Sequence, residues 1–158
     1  MKYKIPKSWN DITIEQFQEI RKLDTSDEIE YLINLIAIVC HLDPETVEGF
    51  EINKVKEIGK HLAFIKTLPD KFQNDFTIDG STFTVDVNIA HISAGQYIDL
   101  NKYIELGVED NMHKILTLFC LPTKRKWFKR VTAEYGKGYD LNELANVMLK
   151  CPISVAYP

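Results

Sequence analysis

The strongest constraint in this 158-residue chain is an internal correspondence at a fixed offset of 80 positions. Ile12-Thr13-Ile14-Glu15-Gln16-Phe17-Gln18-Glu19-Ile20 aligns without a gap on Ile92-Ser93-Ala94-Gly95-Gln96-Tyr97-Ile98-Asp99-Leu100. Carried forward, the offset pairs Leu32 with Met112, Leu35 with Ile115, Ile36 with Leu116, Ile38 with Leu118 and Cys40 with Cys120. A proline follows each run, Pro44 in one copy and Pro122 in the other. Repetition of one supersecondary unit predicts two related helical halves.

Each copy opens with the same helix-starting device. Thr13 and Ser93 are N-cap residues, with Gln16 and Gln96 three positions on, which is the capping-box spacing. Ile12 precedes one cap and can pack on Phe17; Ile92 precedes the other and can pack on Tyr97, the hydrophobic staple. Each box is worth about 1 kcal/mol. The plainer reading is two unrelated helices that share common grammar. The offset persisting through the following helix favours duplication.

The remaining pattern is helical with one interruption. Helices are predicted over 13–23, 27–41, 52–67, 93–105, 109–120 and 142–150, with a short one after Asp43 that takes Pro44 in its first turn. Leu144, Val147 and Met148 give the last helix its inward face. Between the copies the period drops to two, and Phe83, Val85 and Val87 alternate with polar residues after Asp79-Gly80, a hairpin-turn pair. A lone hairpin is marginal, so it must pack on helices or gain strands from Tyr3-Ile5 or another subunit. The expected fold is mainly α (α+β) and one domain over 1–158. Pseudo-repeats at about 11–44 and 91–122 flank a small antiparallel β-hairpin at 76–87.

Composition narrows the functional classes. With 45% hydrophobic and 27% charged residues, disordered and collagen-like architectures are excluded. A net charge of −4 is too mild for a strongly basic nucleic-acid binder. Three cysteines, Cys40, Cys120 and Cys151, make no disulfide framework and point to a reducing compartment. The basic N-terminus leads into no apolar signal segment. The most apolar run, 29–42, falls short of the ~20 residues a bilayer needs, so no membrane association is expected.

Chemical motifs are missing from the sequence. It has no GxxxxGK[ST], GxGxxG, CxxC, HExxH, DxDxDG or GxSxG pattern. Cys40 and Cys120 lie in apolar helical stretches and read as small core residues. His41, His61, His91 and His113 are scattered and read as structural. Asp24, Asp27, Glu28 and Glu30 read as a solvated helix start that complements the dipole. The chain is therefore expected to be no enzyme, with no cofactor and no metal.

Three features read as adhesive. Lys124, Arg125, Lys126, Lys129 and Arg130 fall within seven residues, with Trp127 and Phe128 between them. Residues 1–100 carry a net −7 and residues 101–158 a net +3, so charge is segregated along the chain. Basic residues interleaved with aromatics can hold phosphates and stack bases, or dock an acidic protein surface. The bland reading is a solvated loop or helix anchored by Trp127 and Phe128. The second feature is the apolar tail with Ile153, Val155 and Tyr157, which either docks on a neighbour or tucks into its own core. The third is the hairpin tip at Asp79-Gly80.

Taken together, several segments resemble a known family. They are Ile-Thr-x-x-Gln-Phe (12–17), Ile-Ser-x-x-Gln-Tyr (92–97), the basic stretch with Trp127, Tyr135-Gly136-x-Gly138-Tyr139-Asp140 and the closing Pro152-Ile153-Ser154-Val155-Ala156. The family is the small virion, tail-assembly or portal-associated proteins of tailed bacteriophages of Bacteroides-like hosts, including crAss-like ones. The resemblance spans most of the chain and rests on packing and capping residues. It implies a structural or assembly protein, present in the virion or in host cytoplasm during assembly. Other phage structural proteins are the implied partners, with a homo-oligomer also open. The chain would bind them in the portal or tail region or as packaged cargo; a tail-assembly chaperone not retained in the particle and a nucleic-acid-binding module using 124–130 stand as alternatives.

Overall fold

The structure, a computed structural model, describes residues 3–69, 75–78, 80–86, 88–120 and 134–156, with backbone alone for 123–126 and 129–132. A 3-10 turn at Trp9–Asp11 leads into α1 (Ile14–Ile20). Asp27 caps α2 (Glu28–Cys40) by accepting from Ile29 N and Glu30 N, two of the amides a helix start leaves unpaired. His41, in the left-handed region at φ 53°, ends α2. α3 (Pro44–Glu48) opens on proline, where the missing N–H costs no helical bond. α4 (Ile52–His61) runs into a 3-10 turn at Ala63–Lys66, so the single helix expected over 52–67 tightens at Leu62.

β1 (Asp75–Ile78) and β2 (Ser81–Thr84) form the expected antiparallel hairpin, with Phe76 opposite Phe83. A 3-10 turn at Ile89–His91 then precedes α5 (Ala94–Glu105) and α6 (Val108–Phe119). A second hairpin, β3 (Thr123–Lys126) with β4 (Lys129–Thr132), follows. α7 (Leu141–Leu149), capped by Asp140, and a single turn, α8 (Ile153–Ala156), finish the described chain. The fold is mainly helical, with a small hairpin between helical segments, as the periodicity predicts.

Both capping boxes form. Gln16 Oε1 accepts from Thr13 N (3.0 Å) while Thr13 Oγ1 accepts from Gln16 N (3.2 Å). Gln96 Oε1 accepts from Ser93 N (2.8 Å) while Ser93 Oγ accepts from Gln96 N (3.3 Å). Each glutamine does a second job that the sequence pattern does not announce. Gln16 Nε2 donates to Ile38 O (3.0 Å) near the end of α2, and Gln96 Nε2 donates to Leu118 O (2.6 Å) near the end of α6. Both carbonyls lie in a last helical turn, where the i+4 amide is missing; Ile38 O also accepts a longer bond from His41 N (3.4 Å). One buried side chain thus closes the start of one helix and the end of the next, and the partners obey the same offset of 80.

The core gathers around α1, which packs against α2, α6, α7 and α8. Ile12, Ile14, Ile36, Val47, Met148, Ile153 and Val155 are completely buried within it. Trp9 meets Phe17 and Phe64 edge-on, with ring centroids 5.8 and 5.6 Å apart.

The first hairpin takes one of the routes expected for it, packing on the helical core. Among the described residues it stays two-stranded and gains nothing from Tyr3-Ile5. Tyr3 instead stacks on Phe50, centroids 5.8 Å apart, with Lys54 Nζ 3.6 Å from the Phe50 ring centre. The hairpin packs through one face, as its alternation predicts: Phe76, Ile78, Phe83 and Val85 are buried. Asp86 N donating to Phe119 O (2.8 Å) ties its end to α6.

Candidate functional site

The apolar tail folds inward, which corrects its placement among partner-contact residues. Ile14 N donates to Cys151 O and Ile153 N donates to Ile12 O, both at 2.8 Å, so the tail pairs alongside the approach to α1. Ile153 and Val155 are fully buried and offer nothing to a partner in this fold. The driving force is ordinary: full burial of such a side chain is worth about 1.5–3 kcal/mol. Tyr157 lies outside the described residues.

The basic stretch is neither loop nor helix but the β3–β4 hairpin. Its register sets Lys124 opposite Val131, Arg125 opposite Arg130 and Lys126 opposite Lys129. Trp127 lies outside the described residues. At the other hairpin, Gly80 takes φ +78° and no atom approaches within 4 Å of where its Cβ would sit, so the tip is open. Asp79 lies outside the described residues.

One surface that the sequence reading missed stands out in three dimensions. In α5, Gln96 and Leu100 face inward; Ala94 and Ile98 lie away from them, Tyr97 and Ile104 flank the buried side, and all four are exposed. Tyr97 is 51% exposed and Ile98 67%, and Ile89, Leu106 and Val108 extend the apolar character at either end of the helix. Tyr97 is therefore half-exposed, where its counterpart Phe17 is buried. The signal was present in the sequence: apolar residues occur on both faces of α5, too many for a helix with one buried side.

The segment before α7 braces this helix from the other side. Tyr135 donates its hydroxyl to Asp99 Oδ2 (2.5 Å) and its ring lies 3.9 Å from where a Gly95 Cβ would stand. Burial, reinforced by Asp99, pushes the Tyr135 phenol far above its ordinary range.

The titratable groups show no convergent chemistry among the described residues. Burial raises the Cys40 and Cys120 thiols, and pushes Cys151 up to about 12. All three cysteines are buried and free. Burial, then Lys114, holds His113 below the usual imidazole value, and Gln18 Nε2 lies 3.2 Å from its Nδ1. No three His, Cys, Asp or Glu side chains group as a metal site among the described residues. An open cleft of 470 Å³ lies beside Trp9, Phe64, Leu68 and Ser154, with the indole N–H already donated to Thr67 O (3.0 Å). No helix of the described residues is long and apolar enough to cross a membrane. No family model, no curated protein and no solved structure matches this chain.

Proposed function

We propose that the chain is a non-enzymatic structural or assembly protein of a tailed phage that binds other virion proteins, at the portal or tail or as packaged cargo. The observation that carries this reading is the open apolar face of α5, where Tyr97, Ile98 and Ile104 stand about half or more exposed. Monomeric surfaces seldom leave such side chains grouped, and covering them gains roughly 25 cal/mol per Å² of apolar area. The sequence resemblance to small tailed-phage proteins supports the biological setting, in the virion or in host cytoplasm during assembly. The opposed basic positions of β3 and β4 support an acidic partner as a second contact.

Mass spectrometry of purified particles tests the reading, run on the wild-type chain and on Tyr97→Asp/Ile98→Asp. The wild type is expected in particles or in assembly intermediates, and the variant is expected to be depleted from both. Equal recovery of the two overturns the reading. Presence in intermediates alone assigns the chaperone role. A second reading, nucleic-acid binding by residues 124–130, follows from the same basic register. It predicts affinity that falls steeply with salt and vanishes when Arg125 and Arg130 become alanine.

A further inference from the structure

We propose that the open face of α5 binds a second copy of this chain, head to tail, through the first turns of that copy's α2. The proposal rests on the protein-binding reading above and names the partner of the same face. Its template lies inside the molecule, where the two halves meet through α1 and the start of α6. Gln18 Nε2 donates to Glu109 O (2.8 Å) and touches His113. Arg21 pairs with Glu109 (3.1 Å) and Lys22 with Asp110 (3.4 Å).

The offset of 80 carries α1 onto α5, and taken backwards it carries α6 onto α2. The repeat therefore supplies the same two surfaces a second time, and α5 does not spend its copy on its own α2: its main helix neighbour is α6. The Arg21–Glu109 ion pair is not carried over, since those positions become Asn101 and Ile29, but the other two pairs match. Gln18 and His113, a polar pair, become Ile98 and Ile33, an apolar pair. Ile98 is 67% exposed and Ile33 is incompletely buried, so both have surface to give. Lys22 and Asp110 become Lys102 and Glu30, which keep opposite signs in the same order. Both are exposed, and among the described residues neither forms an ion pair. Two faces that change from polar to apolar together, while keeping a charge pair in register, are complementary to each other.

The contact is heterologous, because one chain offers α5 and the other offers α2. Repetition of it gives a ring if the rotation closes and a filament if it does not. The internal contact between α1 and α6 is the same joint made within one chain.

Sedimentation of the full chain over a wide concentration range, up to about 1 mM, is the test. The wild-type mass is expected to rise with concentration. Ile98→Asp, on an exposed position, should weaken association by about 100-fold. Lys102→Glu and Glu30→Lys alone should each weaken it by about tenfold, and an equimolar mixture of the two variants should regain it, because each then meets an opposite charge. A monomeric wild type, association indifferent to Ile98→Asp, or a mixture no better than its components would each overturn the head-to-tail joint. If the wild type is monomeric and the Asp variant is still lost from particles, self-association fails and the protein-binding reading stands.

Discussion

α1 and α5 begin with the same capping box and the same long glutamine bond, yet one lies at the centre of the molecule and the other at its surface. Ile14 and Phe17 are buried; their counterparts Ala94 and Tyr97 are exposed. The difference lies in what returns to cover each helix. Trp9, Phe64 and the C-terminal segment with Ile153 and Val155 close over the first half. At the corresponding place in the second half Ile89 stands 60% exposed. Equal local geometry therefore does not give equal burial, because burial depends on segments remote in sequence.

The contrast can be broken most sharply at the paired positions 14 and 94. Ile14→Asp buries an unpaired carboxylate and should cost several kcal/mol, on the order of 4 or more, enough to unfold many domains. Ala94→Asp, at a solvated helix start, should stay within about 0.5 kcal/mol. Urea denaturation of both variants measures the gap, and similar losses would contradict the assigned burial.

Next in size is the tail. Ending the chain at Lys150 removes Ile153 and Val155 from the core and should cost about 3–6 kcal/mol at 1.5–3 kcal/mol for each buried side chain. The same thermal or urea scan reads the result. A tail that could be removed without loss of stability would be a docking arm after all.

The glutamines test the likeness of the halves where the burial tests their difference. Gln16→Leu and Gln96→Leu each remove a capping-box acceptor and a side-chain bond to a helix-end carbonyl, at about 1–2 kcal/mol apiece. Comparable losses in the two halves are expected. A loss confined to Gln16 would mean that the second bond carries no weight.

The smallest effect concerns His113 at the seam between the halves. Burial and then Lys114 keep its folded-state pKa below 6.5, so the folded protein prefers the neutral ring. The unfolded chain takes up the proton first as pH falls. Stability from this group is thus complete above about pH 6.5 and is lost below it. Urea midpoints at about pH 7.5 and 5.5 should differ more for the wild type than for His113→Gln.

The halves also show what a linear reading could and could not reach. The boxes at Thr13 and Ser93, the Asp27 cap, Pro44 in a first turn and the first hairpin with Gly80 at its tip were all legible. Each is decided within a few residues, by a side chain meeting a neighbouring amide or by the twist a turn imposes. The β3–β4 hairpin was not legible, since lysine and arginine favour no strand and no turn pair marks its centre. Nor was the fate of the tail. The pattern of Ile153 and Val155 fits a docking arm and a core plug equally well, and the sequence contains no local term that separates them.

By itself, then, the order of residues determined where helices start, that the same capping box occurs twice at an offset of 80, and that a hairpin lies between. Only the tertiary structure decided which half is covered. A cap answers to hydrogen bonds a few ångströms away along the chain, whereas cover is supplied by whichever distant apolar segment gains most from leaving water. Here that segment comes from the far end and pairs with Ile12 and Ile14, leaving the matching face of α5 exposed.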